Sequence, residues 1–280
     1  MAETPCVSPF MRRYPVISLL SDYPRYVWHL LTGVRAKMES GLAAQRARDL
    51  APWLDLAQPR AILDVGNGSL RPQYALLRHA GHRVVGIDFV NRPGISWKRS
   101  VYNGLRRLYA LQLGLPAVAM DQRGLIGGNV GILPFATSSF DLAISNAAFE
   151  HFLDVPAVLA DLQRVLRPGG MIWAGVHLFT SPSGGHNVSF TQYPLHSLPP
   201  GAEPWDHLRA QRRPFTVPLN RWRKHQFLAA FAEQFEVLTH YCGLCEGAQW
   251  LTPALEAELA DYTRDELTCG TLVIVARKRI

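Results

Sequence analysis

Two short apolar runs, separated by a helix-like stretch, most constrain how this chain can fold. Residues 61–65 are Ala-Ile-Leu-Asp-Val and lead into a glycine-containing turn, and residues 83–87 form a second apolar run that ends before Asp88. The stretch between them, residues 71–79, has the apolar spacing of a helix. Strand, helix and strand in this order predict parallel βαβ units, so we expect an α/β protein.

The alternation of strands and helices continues to the end of the chain. Further strands are predicted at 125–130, 141–145, 171–177, 235–241 and 271–276. Further helices are predicted at 155–166, 221–234 and 253–259. Arg167-Pro-Gly-Gly170 should end the first of these helices, because proline cannot continue a helix. This order of elements predicts a Rossmann-like sheet.

Three segments lie outside this alternation. Residues 1–58 have an amphipathic helical pattern and would either form a lid or pack against the sheet. Residues 91–124 form a basic, largely helical insertion, and residues 178–220 are rich in Pro, Gly, His and Ser. A long loop inside a compact domain is usually functional. We therefore expect one domain at 59–280, in which the two insertions form a substrate cap.

Composition narrows the class of partner without identifying it. The 280 residues are 48% hydrophobic, which is enough for a full core. The formal net charge of +7 would suit an anionic small molecule, a nucleic acid or an acidic membrane surface, or reflect only a basic enzyme. The positive residues form short clusters, which argues against a nucleic acid partner.

The sequence also predicts no membrane partner and a cytoplasmic location. No stretch reaches the roughly 18 apolar residues that a membrane-spanning helix needs. The start of the chain lacks the charged head, apolar run and cleavage site of a secretory signal.

Four cysteines raise the question of a metal site. Cys242 and Cys245 have the spacing of zinc ligands, and His240 lies just before them. A structural zinc site needs four ligands, and the chain has no second close pair. We therefore predict reduced thiols and no metal.

The turn Gly66-Asn67-Gly68 and the carboxylate of Asp88 form the chemically most specific pattern. Glycines let a ligand approach backbone N–H groups closely. A carboxylate about twenty residues later lies at the tip of the neighbouring strand, where it can accept two hydrogen bonds from a ribose. This pattern predicts an adenosine-type cofactor. A dinucleotide site would have a third glycine where this chain has Arg71, and a tight turn without any ligand is the other alternative.

Four ordered blocks of the chain resemble the class I S-adenosylmethionine-dependent methyltransferases. They are Leu63–Gly68 with Asp88, Leu133-Pro-Phe135 with Ser139-Phe-Asp141, Ser145–His151 and Leu166–Gly170. The resemblance covers about residues 60–177. It implies a seven-stranded, mostly parallel sheet with an antiparallel last strand, and S-adenosyl-L-methionine as the cofactor.

Carried over position by position, the resemblance implies a set of cofactor contacts. They are Asp64, Gly66, Asn67, Gly68, Asp88, Phe89, Asn129, Val130 and Asn146. Adenine would be bound at Asn129 and Val130, the methionine end near Asp64, and Asn146 would face the reacting centre. Most relatives carry Asp at the position of Asn129, but the Asn carbonyl can also accept a hydrogen bond from the adenine amino group.

The acceptor side is predicted from polar residues near the strand ends and in the second insertion. Candidate proton acceptors are His151, Glu150, His177 and His186, with His186 and His151 as the preferred catalytic residues. Either histidine could instead shape the pocket or bond to nearby backbone. Candidates for substrate binding are His177, Trp205, Asp206, His207 and Arg209. For the last four, the structural alternative is a tryptophan-anchored cap with a surface ion pair.

The first insertion carries Lys98, Arg99, Arg106 and Arg107. These side chains could bind a phosphate or carboxylate of the acceptor, or form the solvated face of an amphipathic helix.

The preferred function is methyl transfer to a small-molecule acceptor, with O-methylation favoured. A sugar or a natural-product intermediate, with or without an anionic group, would suit the cap. One alternative is an RNA methyltransferase, although Asn146-Ala-Ala-Phe149 lacks the prolines typical of base-amino methylases. Another is a non-catalytic cofactor-binding protein of the same fold. The N-terminal helices are a candidate homodimer interface.

Overall fold

The computed structural model describes residues 28–91, 96–116, 123–186, 198, 202–209 and 218–279. Seven strands are present in these ranges: β1 (Ala61–Val65), β2 (Arg83–Ile87), β3 (Leu125–Ile126), β4 (Phe140–Asn146), β5 (Leu166–His177), β6 (Glu236–Cys245) and β7 (Cys269–Arg277). The α-helices are α1 (Val34–Leu50), α2 (Pro72–His79), α3 (Ser96–Gln112), α4 (Val155–Val165), α5 (Lys224–Gln234), α6 (Pro253–Glu258) and α7 (Arg264–Thr268).

The strands form one sheet in the order β3-β2-β1-β4-β5-β7-β6. Strands β1 to β5 pair in parallel, whereas β7 is antiparallel to both β5 and β6. This confirms the predicted seven-stranded sheet with an antiparallel last strand. Val65 is level with both Ile87 and Ser145, so β1, β2 and β4 end at the same edge of the sheet. Ligands of open α/β sheets bind at this carboxyl edge.

Two strands differ in length from the prediction. β3 contains only Leu125 and Ile126, because the chain then turns, with the side chain of Asn129 accepting a hydrogen bond from the backbone of Gly131. β5 begins at Leu166 rather than at residue 171, because Leu166 pairs with Phe140 across a register shift in β4. Helix α4 still ends at Val165, immediately before the proline-containing block, as the sequence predicts.

The sheet is buried on both faces, as parallel sheets usually are. One face packs against α1 and α2 through a cluster that includes Leu50, Tyr74 and Trp173. The other packs against α4 and α5 through a larger cluster that includes Phe149 and Phe231. Each fully buried large apolar side chain contributes about 1.5–3 kcal/mol to folding.

Helix α1 packs on the sheet, which answers the question of lid or packing for residues 34–50. The carboxylate of Asp49 accepts hydrogen bonds from the indole N–H of Trp173 at 2.8 Å and from the hydroxyl of Tyr241 at 2.7 Å. Gln45 donates to the same hydroxyl at 2.8 Å. Residues 1–27 of the predicted N-terminal segment lie outside the described residues.

The first insertion contains α3, in agreement with its predicted helical character. Most of the second insertion, including residues 187–197 and 210–217, lies outside the described residues, and so does the predicted cap that it would form. Within the described part of the chain, no helix is long and apolar enough to cross a membrane.

Candidate active site

The glycine turn after β1 lies against the loop after β4. Gly66 and Gly68 have positive φ angles of 73° and 63°, which glycine adopts without strain. A Cβ atom on Gly66 would lie 2.5 Å from the Cβ of Ala148, so the two loops touch here. A Cβ atom on Gly68 would meet nothing within 4 Å. The turn therefore has open space beside Gly68, as a bound ligand would require.

Asp88 lies across the glycine turn, at the tip of β2. Its carboxylate accepts a hydrogen bond from the backbone N–H of Gly68 at 2.8 Å. The next residue, Phe89, leaves 52% of its surface exposed, although it is a large apolar side chain. A carboxylate and an exposed aromatic ring beside an open glycine turn fit the ribose and the adenine of the expected cofactor.

Asn67 holds the turn rather than facing outward. Its side-chain oxygen accepts a hydrogen bond from Asn91 at 2.9 Å, and the oxygen of Asn91 accepts one from Arg71 at 2.8 Å. These bonds tie the glycine turn to the short 3₁₀ helix that follows β2.

Two buried arginines, Arg71 and Arg106, lie beside the turn. Arg71 is 6% exposed, and its Nε and Nη1 atoms have no hydrogen-bond partner among the described residues. Burial and the nearby Arg106 lower the pKa of Arg71 to about 10, which leaves it charged at neutral pH. Arg106 donates to the carbonyl of Ser69 at 2.8 Å, whereas Arg107 is exposed. The side chains of Lys98 and Arg99 lie outside the described residues.

Asp64 faces the helices on one side of the sheet. Gln73 of α2 donates to its carboxylate at 2.5 Å, and Arg46 of α1 donates to Gln73 at 2.5 Å. Complete burial raises the pKa of Asp64 to about 7, although the charge of Arg46 and the hydrogen bond from Gln73 act in the opposite direction. Asp64 thus connects β1 with both helices, in addition to any part it plays in holding the cofactor.

The remaining predicted cofactor residues lie on the loops at the same edge. Asn129 is exposed, while the side chain of Val130 packs into the core, so only the backbone of Val130 is placed to meet a ligand. Asn146 ends β4, and a Cβ atom on Gly175 would lie 2.8 Å from its side-chain oxygen. Gly175 therefore makes room for the side chain of Asn146.

Four candidate proton acceptors come together beyond the ends of β4 and β5. Glu150 and His151 belong to the 3₁₀ helix after β4, His177 ends β5, and His186 follows in the next loop. The Nε2 atoms of His186 and His151 lie 3.8 and 4.0 Å from Oε1 of Glu150. The ring of His186 lies 4.6 Å from that of His177 and 4.9 Å from that of His151. We call Glu150, His151, His177 and His186 the histidine–glutamate cluster.

Hydrogen bonds at the outside of the cluster determine where two of its histidines carry their hydrogen. Nδ1 of His151 lies 2.8 Å from the carbonyl of Pro218, which can only accept, so Nδ1 is the donor. The hydroxyl of Ser183 donates to Glu246 at 2.5 Å, and Nε2 of His177 therefore donates to Ser183 at 2.8 Å. The lone pairs lie on Nε2 of His151 and on Nδ1 of His177.

Burial keeps the cluster uncharged at neutral pH. It raises the pKa of Glu150 to about 8, while the backbone amides of Glu150 and His177 lower it in part. It lowers the pKa of His186 to about 2, with a further contribution from the neighbouring histidines. Burial also lowers the pKa of His151 and of His177, and the charge of Asp88 partly offsets this at His151. Asp88 is therefore close enough to act on the cluster.

One glycine and one asparagine position the cluster. A Cβ atom on Gly185 would lie 2.8 Å from Cγ of His207, so only glycine fits where the loop turns toward His186. Asn220 donates to the carbonyls of Phe149 and Phe152 at 2.7 and 2.9 Å, which holds the 3₁₀ helix in place. Sequence reasoning missed Asn220, because no local pattern connects it with residues seventy positions earlier.

The predicted substrate element at 205–209 divides into two parts. Trp205 is fully buried and donates to the carbonyl of Leu267 at 3.0 Å, while Arg209 pairs with Glu203 and Glu258. These contacts match the structural alternative, a tryptophan-anchored element with a surface ion pair.

Asp206 and His207 are buried, and His207 lies between the cluster and a separate cavity. Nε2 of His207 donates to the carbonyl of Phe179 at 2.7 Å, and burial lowers the pKa of His207 to about 4. The cavity has a volume of about 270 Å³ and is lined by Phe179, Thr180, His207, Leu208, Arg221, Arg223, Gln226 and Tyr262.

The cysteines are more concentrated than the sequence indicates. The sulfur atoms of Cys242 and Cys245 lie 2.7 Å apart, and Cys269 on β7 is directly opposite Cys245. All three are free thiols. Burial raises the pKa of Cys242 and Cys269, so these thiols are poorly reactive at neutral pH.

The known proteins to which this chain is similar include methyltransferases. Residues 63–174 match a family described as a methyltransferase domain. An uncharacterized methyltransferase of Mycobacterium avium is 30% identical over 139 residues, which are 49% of this chain and 47% of that protein. A 24-methylenesterol C-methyltransferase 2 of Arabidopsis thaliana is 32% identical over 181 residues, which are 60% of this chain and 45% of that protein. The chain spans about half the length of these curated relatives.

A solved structure shares the fold. The crystal structure of geranyl diphosphate C-methyltransferase from Streptomyces coelicolor, in complex with Mg²⁺, geranyl diphosphate and S-adenosyl-L-homocysteine, has a TM-score of 0.50 and 15% identity. The alignment covers 85% of this chain and 80% of that one.

Proposed function

Since the chain belongs to the class I S-adenosylmethionine-dependent methyltransferases, we propose that it methylates a hydroxyl group of a small-molecule acceptor. The observation that carries this proposal is the histidine–glutamate cluster, which adjoins the glycine turn of the cofactor site. The sulfonium of S-adenosylmethionine supplies an already activated methyl group, so the protein needs mainly to align the acceptor and accept its proton.

The residues around the glycine turn would hold the cofactor. Asp88 would accept hydrogen bonds from the ribose, and Phe89 would pack against the adenine. Arg71 lies on the same edge with two N–H-bearing nitrogens unpaired among the described residues, so it would bind the carboxylate of the methionine end.

His151 is the best placed proton acceptor in the cluster. Its Nδ1–H is bonded to Pro218, which leaves the lone pair of Nε2 for the acceptor hydroxyl. A third of its side chain is exposed, whereas the side chain of His186 is more buried and burial lowers its pKa to about 2. The hydroxyl would lose its proton to Nε2, and its oxygen would form the new bond to carbon as the bond from carbon to sulfur breaks. His186 would then contact the acceptor without taking the proton.

The acceptor class follows from the surroundings of the cluster. Asn220 and Pro218 are hydrogen-bonded to the 3₁₀ helix that carries Glu150 and His151, so these polar groups are held in a fixed arrangement, which favours a discrete molecule as the acceptor. The net charge of +7 favours an acceptor with an anionic group, such as a modified sugar or a natural-product intermediate.

Methylation of carbon is the second candidate. It is favoured by the Arabidopsis relative, which is named as a sterol C-methyltransferase. A base is needed there as well, because the carbon that receives the methyl group must lose a proton to restore its double bond. The methylated product distinguishes the two reactions.

The test is methyl transfer from cofactor with a ¹³C-labelled methyl group to a panel of sugars, phenols and isoprenoid alcohols, with RNA as a separate arm. We expect a new O-methyl signal in the product. His151→Asn should lower kcat by about 10²–10⁴-fold and leave binding of S-adenosylhomocysteine unchanged. The exposed His225, changed to Asn, is the matched control. Labelling of RNA alone, or full activity of His151→Asn, would contradict the proposal.

A further inference from the structure

The carboxyl group of Glu150 is buried, and burial disfavours its charged form. Only 2% of its side chain is exposed, and no side chain among the described residues makes a hydrogen bond to either oxygen. A buried charge is stable only when it is paired, hydrogen-bonded or bound to a metal. Something positive must therefore accompany the ionised form of Glu150.

The neighbouring histidines are oriented as ligands rather than as hydrogen-bond donors. Nε2 of His151 lies 4.0 Å from Glu150, but it carries a lone pair because Nδ1 holds the hydrogen. His177 likewise has its hydrogen on Nε2, which is bonded to Ser183. A neutral imidazole with its outer N–H bonded to protein is the usual form of a metal-binding histidine.

We propose that Glu150, His177 and His186 bind one divalent first-row transition metal ion, such as Zn²⁺ or Co²⁺, which holds the oxygen of the acceptor. Each residue offers one ligand atom, and these atoms all lie within 4.8 Å of one another. Ligand atoms bound at about 2.1 Å in a tetrahedral site are about 3.4 Å apart, so these atoms would move inward by less than about 1 Å. Small side-chain movements would therefore close the site. The part played by the acceptor oxygen rests on the proposed function, whereas metal binding does not.

The three ligands favour a transition metal over magnesium. Two imidazoles and one carboxylate suit Zn²⁺, Fe²⁺ or Co²⁺ and leave coordination positions open for a substrate. Mg²⁺ prefers six oxygen ligands and is bound poorly by imidazole.

A second layer of hydrogen bonds supports the proposed ligands. His177 donates to Ser183, and both the hydroxyl and the backbone N–H of Ser183 donate to Glu246, at 2.5 and 3.2 Å. This chain of bonds ends on a buried carboxylate, as is common behind metal-binding histidines. Glu246 is itself packed closely against Gly270 at the start of β7.

The site adjoins the cofactor turn. Ala148, two residues before Glu150, is the residue that meets Gly66 across the two loops. An acceptor oxygen on the metal would lie near the cofactor, and a cation that contacts a hydroxyl favours loss of its proton. His151, which is outside the three ligands, would stay available to take that proton.

The test is titration of the full chain, pretreated with a chelator, with Co²⁺ in the absence of cofactor and acceptor. Visible absorption bands report Co²⁺ in a protein site, and calorimetry gives the stoichiometry. We expect one Co²⁺ per chain, without competition from Mg²⁺. Glu150→Gln keeps the shape of the side chain and removes its charge, and His186→Asn changes a loop residue. Both should lower the affinity at least about tenfold.

His225→Asn is the matched control, because this histidine is exposed and distant from the cluster in the chain. It should bind Co²⁺ like the original chain. Absence of saturable binding, or unchanged affinity in both Glu150→Gln and His186→Asn, would overturn the metal site. Since S-adenosylhomocysteine binding and methyl transfer are measured separately, a failed metal site and a failed proposed function give different results.

Discussion

Arg71 shows how one residue can distinguish two cofactor chemistries. It occupies the position where a dinucleotide motif would have its third glycine, and its φ angle of 58° is one that glycine would adopt without strain. The side chain is buried, charged and incompletely paired among the described residues. Burying a charged guanidinium without all of its hydrogen bonds costs free energy, so Arg71 is expected to bind a ligand that completes those bonds.

We expect Arg71→Met to weaken binding of S-adenosylhomocysteine about 10- to 100-fold, because charge-assisted hydrogen bonds are worth roughly 1.5–3 kcal/mol. Binding of 5′-methylthioadenosine, which lacks the carboxylate, should change little. Calorimetry with both ligands gives the comparison. Arg107→Met, an exposed change on α3, is the control. Equal losses for the two ligands would mean that Arg71 supports the fold of the turn and not the carboxylate.

Sequence patterns predict those site residues whose positions are determined by one local stretch of the chain. The glycine turn and Asp88 were predictable, because a strand end, two glycines and an acid twenty residues later form one local pattern. The sequence predicted Glu150, His177 and His186 as individual candidates, but it did not predict that they form one cluster. Their hydrogen positions depend on Pro218 and Ser183, and no spacing rule connects those residues with the cluster.

At the scale of elements, the loops after β1 and β4 contact each other at Gly66 and Ala148. Gly66 has a positive φ angle, and a side chain there would also collide with Ala148. Gly68 has a similar φ angle and open space around it. Comparing the two glycines therefore separates the cost of the backbone conformation from the cost of the collision.

We expect Gly66→Ala to destabilise the protein by more than Gly68→Ala. Both changes incur about 1–2 kcal/mol for a left-handed conformation, but only the first adds overpacking of about 1–3 kcal/mol. Adding Ala148→Gly to Gly66→Ala should recover most of that second cost. Urea unfolding of the original chain, Gly66→Ala, Ala148→Gly and the double variant gives a double-mutant cycle. Strictly additive effects would show that the loops do not touch in solution.

The order of the elements was predictable, but their ends were less so. Apolar runs bounded by glycine or charge mark the strands from β1 to β7 in the correct order. β3 is shorter and β5 longer than predicted, because strand length depends on pairing with neighbours such as Phe140 opposite Leu166. Pairing partners come from distant parts of the chain, so a local pattern does not contain that information.

At the scale of the whole molecule, α1 is joined to the sheet by polar contacts as well as by apolar packing. Asp49 binds β5 and β6 through Trp173 and Tyr241, and Arg46 reaches β1 through Gln73 and Asp64. The sequence left open whether the N-terminal segment is a lid. Its amphipathic pattern is compatible with a lid and with packing on the sheet. For residues 34–50, the side chains that Arg46 and Asp49 contact show that the segment packs on the sheet.

The connection through Asp64 makes the stability of the whole fold depend on pH. The pKa of Asp64 is about 7 in the folded protein and 3.8 for the ordinary carboxyl group. Between these values the folded chain binds more protons than the unfolded chain, so this group stabilises the fold at low pH and loses that contribution as pH rises through 7. The loss is at most about 1.4 kcal/mol per pH unit.

Asp64→Asn should remove this dependence, because an amide keeps the hydrogen bond with Gln73 and has no proton to lose. The variant should gain stability relative to the original chain as pH rises from 5 to 8, measured by urea unfolding at each pH. Asp55→Asn, which removes an exposed carboxylate, controls for the change in net charge. A stability difference that stays constant across this range would mean that Asp64 is already ionised beside Arg46. Helix α1 would then be bound to the sheet by an ion pair instead of a neutral hydrogen-bond chain.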